Sequence, residues 1–150
     1  MKAVVLAAGE GKRLRPLTLE RPKPMIPLNG KPLIEYVLAE LPDEITEIIM
    51  IVGYKADSIT AHLGSTYRGR PVTYITQTER RGTAHAVGLA KPHLTERFML
   101  LNGDDIGDKG SFEKGLAYKY CVFVAEHAEP QRFGVVEVNS DGTLKKFTET

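Results

Sequence analysis

The chain has 150 residues, 42% of them hydrophobic and 26% charged, with a formal net charge of +1. That length suits a soluble domain with a substantial core, and the ordinary apolar content excludes a disordered or low-complexity chain. Near-neutrality argues against nucleic acid or an anionic membrane as the main partner, since those select broad basic surfaces, whereas the cations here gather near the N-terminus.

The apolar run Lys2–Ala7 predicts a buried first strand of a parallel sheet. The six apolar residues Ala3 to Ala8 are too few for a signal peptide or a membrane span. The strand feeds a loop, 8–25, that carries Gly9, Gly11 and five cations, Lys12, Arg13, Arg15, Arg21 and Lys23. Pro16, Pro22, Pro24 and Pro27 keep that loop from becoming helical. Backbone N–H groups and fixed positive charge at the carboxyl end of a strand predict a site for a phosphorylated ligand.

Asn29-Gly30 marks a turn and Pro32 suits the first turn of a helix, in which Leu33, Ile34, Val37, Leu38 and Leu41 recur at helical spacing before Pro42. Glu47–Val52 predicts a second buried strand, and Ala56–Leu63 a short helix stopped by Gly64. Val72–Thr76 predicts a third strand, Thr83–Ala90 a helix opened by Gly82, and Arg97–Leu101 a fourth strand running into Asn102-Gly103-Asp104-Asp105. This alternation predicts an α/β fold, a Rossmann-like three-layer sandwich around a mostly parallel sheet. Right-handed crossovers then bring the loops 8–25, 77–83 and 102–106 together along one sheet edge.

In the last third, Tyr120–Ala125 and Phe133–Val138 are strand-like, and Asn139–Gly142 reads as the turn of an antiparallel hairpin closed by Leu144–Thr148, which adds an antiparallel edge to the sheet. The only cysteine, Cys121, lies in an apolar run; with no second thiol to pair with, it reads as a buried thiol in a reducing, cytoplasmic setting. No internal repeat or linker divides the chain, which is read as one domain, 1–150, stopping just after a strand as a fragment of a longer protein would.

Two familiar phosphate motifs fail at Gly9-Glu10-Gly11-Lys12. A P-loop needs glycine where Leu6 stands and Ser or Thr where Arg13 stands, and the dinucleotide fingerprint needs a small residue at Leu14. What is present, Leu6-Ala7-Ala8-Gly9, Gly11, Arg13-Leu14, Pro16-Leu17-Thr18 and Lys23-Pro24-Met25-Ile26-Pro27, resembles the opening signature of the sugar-1-phosphate nucleotidyltransferases, also called nucleotide-sugar pyrophosphorylases. The resemblance continues through Gln77, Gly82-Thr83-Ala84, Gly103-Asp104, Phe133-Gly134-Val135-Val136 and Phe147-Thr148-Glu149, nearly the whole chain.

The resemblance implies transfer of a nucleoside monophosphate from UTP or dTTP to a sugar 1-phosphate, glucose 1-phosphate or an N-acetylated relative, with Mg²⁺ as cofactor and pyrophosphate as the other product. Two polyanions must meet, so charge neutralisation is the central problem. Arg13 can fork onto triphosphate oxygens and Lys23 can act as a point charge beside a phosphate, while Gly9 and Gly11 admit backbone donors. No general base is required, because the attacking phosphate is already ionised. The resemblance further places Leu6, Ala8, Gln77, Gly82 and Thr83 at the nucleotide, Asp104 at the metal, and Gly134 and Glu149 at the sugar. Gln77 has the donor and acceptor needed to read a pyrimidine edge.

Plainer readings stand beside these. Lys12, Arg15 and Arg21 suit a solvated basic loop; Asn102, Asp104 and Asp105 suit a turn; Gly134 and Glu149 suit a hairpin glycine and an exposed acid. The four histidines, His62, His85, His93 and His127, lack metal-ligand spacing and receive no chemistry. Three departures from the family pattern are visible: Lys12 replaces its Thr or Ser, Thr150 follows Glu149 where it has Lys, and its later metal-site residue would fall beyond Thr150. They leave open a catalytically silent nucleotide-binding regulatory domain; CMP transfer to an amino-alcohol phosphate also stays open, because the opening loop handles the triphosphate and says little about the acceptor. Assembly into a homo-oligomer is also left open.

Overall fold

β-Branched Val4 and Val5, set between the small residues Ala3 and Ala7, make a first strand that helices can cover closely on both faces. The structure, a computed structural model, describes residues 1–79 and 81–148. The chain forms two compact units, Met1–Lys114 and Gly115–Thr150. No described helix is long and apolar enough to cross a membrane.

In the first unit the elements run β1 (Lys2–Ala7), β2 (Pro27–Leu28), β3 (Lys31–Pro32), α1 (Leu33–Ala39), β4 (Glu47–Val52), α2 (Ala56–Leu63), β5 (Thr66–Tyr67), β6 (Arg70–Thr76), α3 (Thr83–Ala90), β7 (Phe98–Asn102) and α4 (Lys109–Gly115). The main sheet has the order β5-β6-β4-β1-β7, and β6, β4, β1 and β7 are all parallel. The sheet is mostly parallel, as the alternation of strand and helix predicts. β1 sits between β4 and β7 with Val4 opposite both Ile49 and Leu100.

Strand alternation divides the core between two faces. Val4, Ala8, Ile49 and Ile51 form one cluster with Ala86 and Ala90 of α3, joined by Leu6 and Ile75. Ala3, Val5, Ile48 and Met50 point the other way and are equally buried, as are Ile34, Val37 and Leu38 of α1 and Ile59 of α2. The chain steps from β1 to β4 to β6 through α1 and α2, then returns past β1 to β7 through α3. Right-handed crossovers in opposite directions place α3 on the opposite face from α1 and α2.

Two short hairpins decorate this unit. Asn29-Gly30 joins β2 to β3 with φ of 48° and 83°, and Arg68-Gly69 joins β5 to β6 with φ of 47° and 81°. Both pairs use left-handed backbone, whose twist matches antiparallel strands. The antiparallel edge of the main sheet is therefore β5, not the C-terminal hairpin.

In the second unit, β8 (Val135–Val138) and β9 (Leu144–Thr148) pair antiparallel across the predicted Asn139–Gly142 turn, and they form a two-stranded sheet of their own. Two expectations are corrected here. Tyr120–Ala125 forms no strand: the run has the propensity but no ladder partner among the described residues, and propensity without paired N–H and C=O groups does not make a strand. Cys121, within that segment, is exposed and not buried, for the same reason.

Candidate active site

β1 and β7 are the adjacent strands at which the direction of the winding reverses, and in an open α/β sheet ligands bind beyond the carboxyl ends of such a pair. Lys23 arrives there on a single 3₁₀ turn, Lys23–Met25, which packs against both α1 and α2. Buried Pro24 anchors the turn, and the Ile26 carbonyl accepts from the Leu33 N–H at 3.0 Å, tying it to the start of α1. Asp104 arrives from the other side. The Gly103 N–H before it donates to the Leu6 carbonyl at 2.8 Å, extending the β1–β7 ladder by one bond. A side chain at Gly103 would come within 3.1 Å of that carbonyl, so glycine permits the approach. The Lys23 ammonium and the Asp104 carboxylate form an ion pair across the crevice.

The rest of the long loop is held by its own side chains. Gly11 adopts left-handed backbone, φ 65°, at the head of a second 3₁₀ turn, Lys12–Leu14. Thr18, only 1% exposed, donates from Oγ1 to the Gly11 carbonyl at 2.9 Å. The Tyr54 hydroxyl, presented just past β4, lies 3.1 Å and 3.0 Å from the Thr18 and Leu19 carbonyls. The five cations separate cleanly. Arg15 pairs with Glu10 and Lys12 lies 3.7 Å from the same carboxylate, so both are fastened to the loop itself. Lys23 pairs with Asp104. Arg13 and Arg21 are exposed.

The loop after β6 begins at the same carboxyl edge, against the end of β4. The Gln77 N–H donates to the Val52 carbonyl at 2.8 Å, carrying the β4–β6 pairing past the strand ends. Gln77 is only 8% exposed, and its Nε2 lies 3.4 Å from the Gly82 carbonyl and 3.1 Å from His85 Nδ1. Gly82, at φ 87°, turns the chain into α3, leaving Thr83 exposed at its first position. Leu6 and Ala8 face the same side, in the cluster with Ala86. Side chains built at Gly9 and Gly82 would meet no protein atom within 4 Å, so both glycines border open space.

The donor set at Asp104 suits one kind of metal site. Asp105 is taken up by Asn102, whose Nδ2 donates to it at 2.7 Å, leaving Asp104 as the carboxylate of the turn that faces the crevice cation. Among the described residues no three His, Cys, Asp or Glu side chains gather into a closed cage. A single carboxylate fits Mg²⁺, which takes one or two protein carboxylates and completes its shell with water and substrate phosphate oxygens.

In the second unit, Gly134 precedes β8, and a side chain there would come within 2.9 Å of the Phe147 ring. That gives Gly134 a packing role inside the hairpin. Glu149 lies outside the described residues. Sequence reasoning quoted Thr18 and Glu10 only as parts of motifs, gave Tyr54 no role, and set His85 aside with the other histidines. A buried hydroxyl in a basic loop and a Gly-Tyr pair at a strand end are signals for the first and third; the His85 contact depends on how the loop before α3 turns.

The M. jannaschii protein named Bifunctional protein GlmU (Methanocaldococcus jannaschii) is 38% identical over 150 residues, which cover 99% of this chain and 36% of that protein. The Haloferax volcanii UTP–glucose-1-phosphate uridylyltransferase AglF is 40% identical, with 99% of this chain and 65% of that protein covered. The chain thus spans between about a third and two thirds of the length of these relatives. A crystal structure from Bacillus anthracis, provisionally assigned as a glucose-1-phosphate thymidylyltransferase and solved with a sucrose, superposes with a TM-score of 0.80 at 28% identity, covering 99% of this chain and 64% of that one. The family model described as Nucleotidyl transferase matches residues 2–150, and the chain belongs to that family.

Proposed function

We propose that this protein transfers a nucleoside monophosphate from UTP or dTTP to a sugar 1-phosphate, glucose 1-phosphate or an N-acetylated relative, with release of pyrophosphate. The observation that carries the proposal is the Lys23–Asp104 pair at the reversal of the sheet. The names of the relatives and of the B. anthracis structure, sugar-phosphate uridylyl- and thymidylyltransferases among them, support the substrate class.

In this reading an oxygen of the sugar phosphate attacks the α-phosphorus, the new P–O bond forms, and the bond to the β-phosphate oxygen breaks as pyrophosphate leaves. Lys23 neutralises charge on the phosphates that meet there, and Arg13 grips the triphosphate from the solvent side of the loop. Gly9 and Gly82 leave room for phosphate and base against the backbone, while Gly11 lets the loop close tightly on Thr18 and Lys23. Mg²⁺, held by Asp104, would supply Lewis-acid neutralisation of phosphate oxygens. With side chains 36% and 25% exposed, the Lys23–Asp104 pair has the strength of a partly solvated ion pair, at most about 1 kcal/mol. Such a pair keeps the ammonium aimed into the crevice yet yields readily to a polyphosphate. Gly134 and Glu149 are proposed to line the sugar.

The test is to incubate the protein with Mg²⁺, each nucleoside triphosphate and each candidate sugar 1-phosphate, and to assay pyrophosphate. Release with UTP or dTTP is expected. Silence with every pair would refute the proposal.

A further inference from the structure

Gln77 is nine-tenths buried, and the two acceptors around its amide nitrogen decide what it can offer a ligand. A backbone carbonyl only accepts, so the end of the Gln77 amide that lies 3.4 Å from the Gly82 oxygen must be the NH₂ group. The same NH₂ group lies 3.1 Å from His85 Nδ1. With one hydrogen directed to Gly82, the other meets the imidazole, so Nδ1 must accept and the ring proton must sit on Nε2. Both Gln77 amide hydrogens are then engaged by the protein, and among the described residues none donates to its Oε1.

From this we infer that His85 is a positioning residue that makes Gln77 an acceptor-only reader of the base. The inference rests on the nucleotide reading above and deepens it. An Oε1 held in place selects a ring that presents an N–H donor, as uracil and thymine do at N3. It disfavours cytosine, whose N3 is an acceptor and would leave two lone pairs facing each other in a buried site. Without His85, the amide has one fixed partner in place of two, and rotation about the last bond lets Gln77 present NH₂ to the base. His85 thus acts on selectivity through Gln77 and touches no reacting atom.

Two measurements on the whole protein test this. The first is a through-hydrogen-bond ¹⁵N–¹⁵N coupling between Gln77 Nε2 and His85 Nδ1, expected in the wild type and lost in His85→Ala. Its absence in a folded wild type overturns the arrangement. The second is calorimetric binding of UTP and CTP to the wild type, His85→Ala and His85→Asn. Alanine favours the helix, so the fold of α3 is kept, while Asn carries its Oδ1 on Cγ where histidine carries Nδ1 and restores the acceptor. The wild type is expected to prefer UTP over CTP by roughly tenfold or more, His85→Ala to lose most of that ratio, and His85→Asn to recover it. An unchanged ratio in His85→Ala, or no recovery in His85→Asn, overturns the positioning role. If the coupling is present but the wild type binds neither nucleotide, the proposed function and the selectivity role fall together and only the hydrogen bond stands.

Discussion

The two edges of the main sheet use the same kinds of side chain for different ends. At the amino edge, Arg70 is 16% exposed and donates from Nε to the Ile45 carbonyl at 2.7 Å and from a terminal nitrogen to the Pro42 carbonyl at 3.1 Å. Lys109 there bonds Asp43 at 2.9 Å, and its backbone N–H donates to Glu40 at 3.0 Å. A cleft of about 500 Å³ opens beside them, lined by Asp43, Arg68, Arg70 and Lys109. At the carboxyl edge, by contrast, Lys23 and Asp104 hold each other. A guanidinium committed to backbone carbonyls fastens a loop and has little left to offer a ligand. A lone ammonium–carboxylate pair in a crevice can be exchanged for phosphate and metal. The cleft at the amino edge is thus lined by groups already engaged by the protein, whereas the Lys23–Asp104 pair is the one proposed to meet substrate.

The sharpest way to break this comparison is to remove one cation from each edge. Lys23→Ala should lower turnover roughly 10²- to 10³-fold while leaving the thermal midpoint nearly unchanged, because it removes charge from the transition state and only a weak pair from the ground state. Steady-state kinetics beside a melting curve would check it. Arg70→Met should do the reverse. It strips donors from half-buried carbonyls and should cost about 1–3 kcal/mol of stability in urea titration, with turnover per folded molecule retained.

Within the basic loop the same logic separates neighbours. Arg13→Ala should raise the apparent KM for the triphosphate by about tenfold, whereas Arg15→Ala, which removes a cation already spent on Glu10, should change it by less than about threefold. Gly11→Ala should cost about 1–2 kcal/mol through its left-handed φ, and the added methyl, 3.1 Å from Lys23 Cβ, should lower turnover as well.

The smallest effect is on acid stability at the amino edge. Lys109 beside Asp43 holds that carboxyl below the usual carboxylate range, and the Ser111 hydroxyl and N–H do the same to Asp108. A depressed folded-state value means that the stabilisation is present above the ordinary carboxylate pKa and is lost as pH falls through the folded one. Melting points should therefore decline on acidification below about pH 4, and Asp43→Asn with Asp108→Asn should flatten that decline.

Much of this was legible before any coordinates. Glu47–Val52 and Ala56–Leu63 have the predicted bounds because continuous β-branched runs and a closing Gly64 leave little choice of period or end point. That the loops carrying Lys23 and Asp104 share one edge followed from topology, since right-handed crossovers put both there; the ion pair itself depends on the 3₁₀ turn that presents Lys23. Other features carry no periodic signal. Thr66–Tyr67 is two residues long and becomes a strand only because Arg68-Gly69 turns it onto β6. Tyr120–Ala125 has strand composition but no ladder partner among the described residues, and Cys121 within it is exposed. His85 meets Gln77 across a loop whose path no spacing rule describes.

The central claim is that the Lys23–Asp104 crevice is the reacting centre, and the most direct test is the rate of pyrophosphate release by Lys23→Ala relative to the wild type with Mg²⁺, UTP or dTTP and glucose 1-phosphate. A loss of about 10²-fold or more, in a variant that melts where the wild type melts, is the predicted result. Release at the wild-type rate would contradict it.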